Sequence, residues 1–323
     1  MLEIVRNVPI PAAGVSLGLV ALGGLLGTWS GLLQCVLVAL SIAMAALVVA
    51  KACLFPSMVR DDLQHPILAS VSATLFMALM QIAAFFAPYA FVPSLVLWGL
   101  AVAGHLLLMA WFTIAHVRGL KLENVFPSYF ICYVGIIAGA VTSPAFGLQA
   151  VGEALFWVGF ALYPVLMVLI TVRCLRHPTP HPARPLLCIF SAPASLSVVG
   201  YLAVADAPNL GFAMALLVVG QIMFVLVLTQ LPRFVKGGFF PSFAAMTFPF
   251  VITATALVRF GETLVGAGMQ VHAFLGAAAA AETAFAAFMV AFVFAHYVRF
   301  LAKPVFADAA EDDPAPVEAA AAE

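Results

Sequence analysis

Charge is what this 323-residue chain has least of. Asp, Glu, Lys and Arg together make up 8% of it, against 65% hydrophobic residues. A water-soluble domain carries about 25% charged residues, so most of this chain cannot be one. No GxxxxGK[ST] segment occurs, which removes the phosphate-cradling loop expected of an ATP-driven pump. The five cysteines (Cys35, Cys53, Cys132, Cys174, Cys188) are odd in number and widely spread. They make no CxxC or Cys/His metal spacing, and are expected to be small apolar packing residues. The apolar runs lack the alternation of a membrane β-barrel. No cleavable signal peptide is expected, since the first apolar stretch has no suited small-residue cleavage site. No cofactor, metal or nucleic-acid partner is expected either.

What is present is a set of ten long apolar segments, at about 10–28, 31–54, 66–87, 90–117, 127–147, 150–175, 185–205, 209–232, 240–260 and 269–301. A spanning helix needs roughly 20 such residues. The thirteen Lys and Arg residues sort into alternate gaps. Arg6 precedes the first segment, Lys51 and Arg60 follow the second, and Arg118 and Lys121 follow the fourth. Arg173, Arg176 and Arg184 follow the sixth, Arg233 and Lys236 the eighth, and Arg299 and Lys303 close the tenth. Only Arg259, ending the ninth segment, breaks the pattern. Cytoplasmic loops retain Lys and Arg, so both termini are expected in the cytoplasm of a bacterial-type inner membrane. Six of the fourteen acids lie in the last sixteen residues. This Ala, Pro and acid tail cannot bury enough surface to fold, giving a membrane domain over 1–303 and a disordered tail over 304–323.

Prolines mark a repeat. Pro11, Pro66, Pro127, Pro185 and Pro241 open the odd segments at spacings of 55, 61, 58 and 56 residues. Proline suits a first helical turn, where its missing N–H would have no partner. The result is an all-α membrane fold of ten helices in five parallel hairpins. Odd segments carry small or hydroxylated residues four apart, hence on one helical face: Gly14/Gly18, Ser70/Thr74, Gly135/Gly139, Ser191/Ser195 and Pro249/Thr253. Such faces allow close helix packing. Their recurrence on all five odd segments favours an inner ring with a polar or small-residue lumen, surrounded by the bulkier even helices.

The segment Pro11-Ala-Ala-Gly14-Val-Ser-Leu-Gly18 resembles the first helix of the tellurite-resistance/dicarboxylate transporter (TDT) family. That family includes bacterial tellurite-resistance proteins, fungal malate and sulfite transporters, and plant slow anion channels. His65-Pro66, Phe126-Pro127-Ser128 and Thr247-Phe248-Pro249 fit it in the same order, over about residues 9–303. Ala13 departs from the aromatic residue that relatives often carry before the first Gly, and the acidic tail has no counterpart. The resemblance implies a five-helix inner pore, a homotrimer with one pore per subunit, and a Phe of the ninth helix plugging that pore. By motif the plug is Phe248.

Beside it, Pro249 removes a backbone hydrogen bond and bends the helix, which can direct a bulky ring across a lumen. An apolar constriction of that kind gates by dewetting. Glu282, inside the tenth segment, reads either as a proton-coupling carboxylate or as a hydrogen-bonding link to a neighbouring helix or subunit. The second fits an outer helix better. Arg259 reads equally as a pore-mouth charge for anions or as a residue snorkelling to the interface. His105 and His272 are isolated and read as packing groups, and Gln81 and Gln221 as interhelical hydrogen-bonding residues. Asp61, Asp62 and His65 precede the third segment. They cap it or, on a third reading, begin the metal cluster of an intramembrane transferase, though no second acidic cluster accompanies them.

The expected function is therefore not enzymatic. It is gated passive conduction of small anions, with Phe248 and Pro249 at the gate and Gly14, Gly18, Ser70, Thr74, Gly135, Gly139, Ser191, Ser195 and Thr253 along the pore. The alternative is a proton-coupled C4-dicarboxylate, sulfite or tellurite-type transporter. An inner ring without Lys or Arg offers only weak dipoles, which suits ions that must leave as easily as they enter.

Overall fold

The computed structural model describes residues 2–236 and 238–311. Among the described residues all regular structure is helical. Ten apolar elements follow in order: α1 Ala12–Leu26, α2 Gly31–Leu54, α3 Pro66–Phe86, α4 Phe91–Val117, and α5, which joins Tyr129–Tyr133 to Ile137–Phe146. Then come α6 Gln149–Arg176, α7 His181–Val204, α8 Leu210–Phe234, α9 Pro241–Gly266 and α10 Ala273–Glu311. Eight of these are long and apolar enough to cross a membrane; α1 and the second part of α5 are shorter apolar helices. Two further short helices, Leu2–Asn7 and Pro56–Asp62, carry Arg6 and Arg60 in their last turns. Residues 312–323, most of the expected tail, lie outside the described residues.

Local chemistry sets the helix starts. The Ser30 hydroxyl accepts from Leu33 N–H ahead of α2, and Asn209 Oδ1 accepts from Phe212 N–H ahead of α8. Each satisfies a donor that the first helical turn leaves without a partner. Pro66 and Pro241 occupy first-turn positions of α3 and α9, as their spacing predicts. His65 Nδ1 accepts from Ile67 N–H, while Asp62 pairs with the buried Lys51 at 3.1 Å. The cluster before α3 thus divides between a cap and an ion pair. Among the described residues no three His, Cys, Asp or Glu side chains gather closely enough to hold a metal.

Consecutive elements pack against one another, α1 on α2 through α9 on α10. Contacts also run from α1 to α3, α3 to α5, α5 to α7 and α7 to α9, and from α9 back to α1. Burial follows the same division. The most apolar windows of α3, α7 and α9 are 56, 72 and 83% buried, and those of the even helices only 28–39%. In α1 every residue but Gly24 is buried. The even helices turn Leu32, Leu100 and Phe288 outward, as lipid-facing surfaces do.

With no hydrophobic gain between helices in lipid, close approach and hydrogen bonds hold such a bundle together. Ser16 and Ser41 each donate to the other's carbonyl oxygen, at 2.9 and 2.8 Å, clasping α1 to α2. Trp98 Nε1 donates to Thr142 Oγ1 at 2.8 Å between α4 and α5. A methyl group on Gly18 would stand 2.5 Å from the Thr247 Cβ, and one on Gly220 would stand 2.6 Å from the Ser195 hydroxyl.

Gly18→Ala should therefore lose roughly 1–3 kcal/mol of stability, the usual cost of overpacking. Gly24→Ala, in the same helix with nothing within 4 Å, should melt like the parent. Thermal unfolding in detergent compares the two.

Candidate pore

Four of the five odd elements are not continuous α-helices. In α3 the helix is interrupted at Ser72. In α5, tight turns over residues 134–136 separate its two parts, with Ile137, Ala138 and Gly139 each donating three residues back. In α7 a 3-10 stretch, His181–Ser191, precedes the α-helix Ala192–Val204. In α9 a 3-10 turn, Pro241–Met246, stops at Thr247 (φ −103°, ψ −86°) before an α-helix begins at Phe248. Pro193 and Pro249 stand in the first turns of these restarted helices, where a missing N–H breaks no hydrogen bond. The Thr247 hydroxyl lies 2.7 Å from Ala244 O and 3.0 Å from Gly14 O, tying the break to α1.

Irregular backbone within a membrane persists only where protein buries it or where it lines a cavity. Both conditions are met here. A cavity of about 400 Å³ is walled by α1, α3, α5, α7 and α9, and its lining includes Val71, Thr74, Val134, Gly135, Pro193 and Pro249. Those residues sit at or beside the interruptions. The wall is otherwise apolar apart from His65 and Ser242. A second cavity of about 120 Å³ is walled by later residues of the same five elements, among them Thr28, Gln81, Thr255 and Arg259. Leu196 and Phe248 line both. They stand where the two spaces meet.

The expected lining residues separate into two groups. Gly14, Thr74, Gly135, Phe248 and Pro249 line the larger cavity. Gly18 packs on Thr247, and Gly139 on Leu155 of α6 and Val102 of α4. Ser70 donates to Ser128 Oγ at 2.8 Å. Ser191 donates to Cys188 O, Ser195 to Ser191 O, and Thr253 to Phe250 O. These six line neither cavity. The i, i+4 spacing puts two residues on one face only in an unbroken α-helix, and a 3-10 turn advances 120° per residue instead of 100°. The interruption between Ser70 and Thr74 therefore separates their directions.

Arg259 lines the smaller cavity, paired with Glu262 at 3.0 Å, and both side chains are about half exposed. Glu282 is buried away from both cavities, with Gln221 Nε2 of α8 3.5 Å from its Oε2. His105 Nε2 donates to Cys132 O at 2.9 Å, and His272 Nδ1 accepts from Phe274 N–H at the start of α10. Leu196 escapes any reading of the sequence, since nothing distinguishes it from other leucines.

The sequence profile of SLAC1, described as "voltage-dependent anion channel", matches residues 7–298. The chain belongs to the SLAC1 family. This is the same family as the TDT resemblance noted above, and it makes the chain a multi-pass membrane protein. Over 249 residues the chain is 26% identical to the S-type anion channel SLAH2 of Arabidopsis thaliana, covering 73% of this chain and 46% of that protein. The chain thus spans about half the length of that curated SLAC1-family relative.

Accessibility to water distinguishes the two groups of lining candidates. With the exposed Cys35 and Cys53 replaced by Ser, Thr74→Cys and Ala245→Cys should react with a small charged thiol reagent. Ser191→Cys and Thr253→Cys should stay unlabelled, as read by mass shift of the intact protein.

Proposed function

We propose that this protein is a gated, passive pore for small anions, closed by the Phe248 ring against Leu196. The observation that carries this reading is the pair of cavities, walled by the same five elements and sharing Phe248 and Leu196. In this reading α1, α3, α5, α7 and α9 form an inner ring, the even helices an outer one, and each odd–even pair a hairpin. The contacts from α9 back to α1 support such closure. By the sorting of Lys and Arg, the larger cavity opens to the cytoplasm, both termini are cytoplasmic, and the membrane is a bacterial-type inner membrane. The assembly is a homotrimer with one pore per subunit, supported by family resemblance.

The interruptions supply the electrostatics that the side chains lack. The restarted helices Ala73–Phe86, Ala192–Val204 and Phe248–Gly266 begin at the wall of the larger cavity. A helix start carries roughly +0.5 of an elementary charge. Three such ends, without a fixed ligand, attract an anion while binding it weakly, which conduction requires. Between them and the smaller cavity, the ring and the leucine exclude water and close the path by dewetting. Glu282 serves this pore as a hydrogen-bonding link among the outer helices and α9.

Phe248→Ala should join the two cavities and raise chloride conductance several-fold in planar bilayers at equal protein insertion. The current should reverse at the chloride Nernst potential and ignore an imposed pH gradient. Unchanged currents, or a reversal that follows pH, would sink the passive-pore reading.

A further inference from the structure

Lys and Arg side chains near the ends of membrane helices ordinarily reach into water. Arg173, in the last turn of α6, does not: it is 2% exposed. Its Nε and Nη2 donate to the Glu123 carbonyl oxygen at 3.4 and 3.2 Å, and its Nη1 donates to Thr179 Oγ1 at 3.1 Å. The guanidinium carbon stands 4.6 Å from the centroid of the Phe126 ring. Phe126 lines the larger cavity, and so do Pro180, Pro182 and Ala183, which follow Thr179. One aromatic ring separates this charge from the cavity.

Each of those partners is neutral. Among the described residues the two ion pairs are Lys51–Asp62 and Arg259–Glu262. The other buried cation, Lys51, is thus neutralised, and Arg259 is exposed. Among the described residues, no carboxylate stands within ion-pair distance of the buried Arg173. An uncompensated buried charge is costly, and a neutral amide could donate to the same two acceptors without that cost. The hydrogen bonds therefore explain where the side chain lies but not why it is charged. A counter-charge that comes and goes in the adjoining cavity explains both.

We propose that Arg173 is a selectivity-determining residue of the pore, drawing small anions into the larger cavity and repelling cations through the field it projects past Phe126. The proposal rests on the anion-pore reading above. It places a full charge behind an apolar wall, so permeating anions are attracted without being gripped. At roughly 8 Å, an effective dielectric near 20 and a Debye length of about 8 Å, such a charge still raises anion occupancy and lowers cation occupancy about threefold each, hence about tenfold in their ratio.

The test uses the full chain carrying Phe248→Ala, in planar bilayers under a potassium chloride gradient. Arg173→Gln should lower the chloride-to-potassium permeability ratio about tenfold. Its conductance deficit should be large in dilute salt and shrink at molar salt, where screening is short-ranged. Arg173→Lys should keep most of the ratio. Arg176→Gln, an exposed neighbour on the same turn, should keep it too. An unchanged ratio in Arg173→Gln would overturn the proposal, as would equal losses in the Gln and Lys variants or in Arg176→Gln. Should Arg173→Gln fail to fold, Thr179→Val, which breaks a contact but keeps the charge, must retain the ratio, and its loss there would overturn the proposal. Absence of chloride current in the Phe248→Ala parent would instead overturn the pore reading itself, and the proposal with it.

Discussion

Every peptide group in the apolar interior of this fold needs a hydrogen-bond partner, and a membrane supplies none. The even helices meet that demand with uninterrupted helix, α-helical over the 28 residues of α6 and the 25 of α8, and closing in a π-helical turn, Thr113–Val117, in α4. Four of the five odd elements do not. Their interruptions at Ser72, residues 134–136, Ser191 and Thr247 are tolerable because residues at or beside them line a common space and the even helices pack against these elements. The cavity and the broken helices are two aspects of one solution. A lone interruption on a lipid-facing helix would have no such shelter.

Packing then follows from the same division. Where broken elements meet, side-chain oxygens take over from backbone ladders: Thr247 toward Gly14 O, Ser70 toward Ser128, Ser72 toward Ala69 O. Glycines at Gly18, Gly139 and Gly220 bring neighbouring backbones or side chains into contact that a methyl group would prevent. Small residues on the odd elements thus serve two ends. Some open the lumen, and others let the wall around it close.

Much of this was legible in the sequence. The sorting of Lys and Arg and the recurrent prolines delimit the elements, and Thr247-Phe248-Pro249 points to the ring that both cavities share. The face on which each small residue falls was not legible, because a four-residue spacing assumes an uninterrupted helix. Ser70 and Thr74 lie on either side of a break, and Ser191 ends a 3-10 stretch that leads into the helix carrying Ser195. Leu196 gives no sign of its position, and its place is set by α7 after Pro193. Arg173 was hidden differently. With Arg176 and Arg184 it looks like one more charge on a basic rim, and only the fold of the loops at Glu123 and Thr179 encloses it.

The bond from Thr247 to Gly14 joins residues 233 positions apart. It lies where the ninth element meets the first, immediately before Phe248 in the chain. During synthesis, the last wall of the proposed lumen therefore arrives together with the residue proposed to obstruct it. A chain still emerging from the ribosome has neither a finished conduit nor a need for a stopper. In the proposed pore, completion of the wall and insertion of the obstruction are then one event.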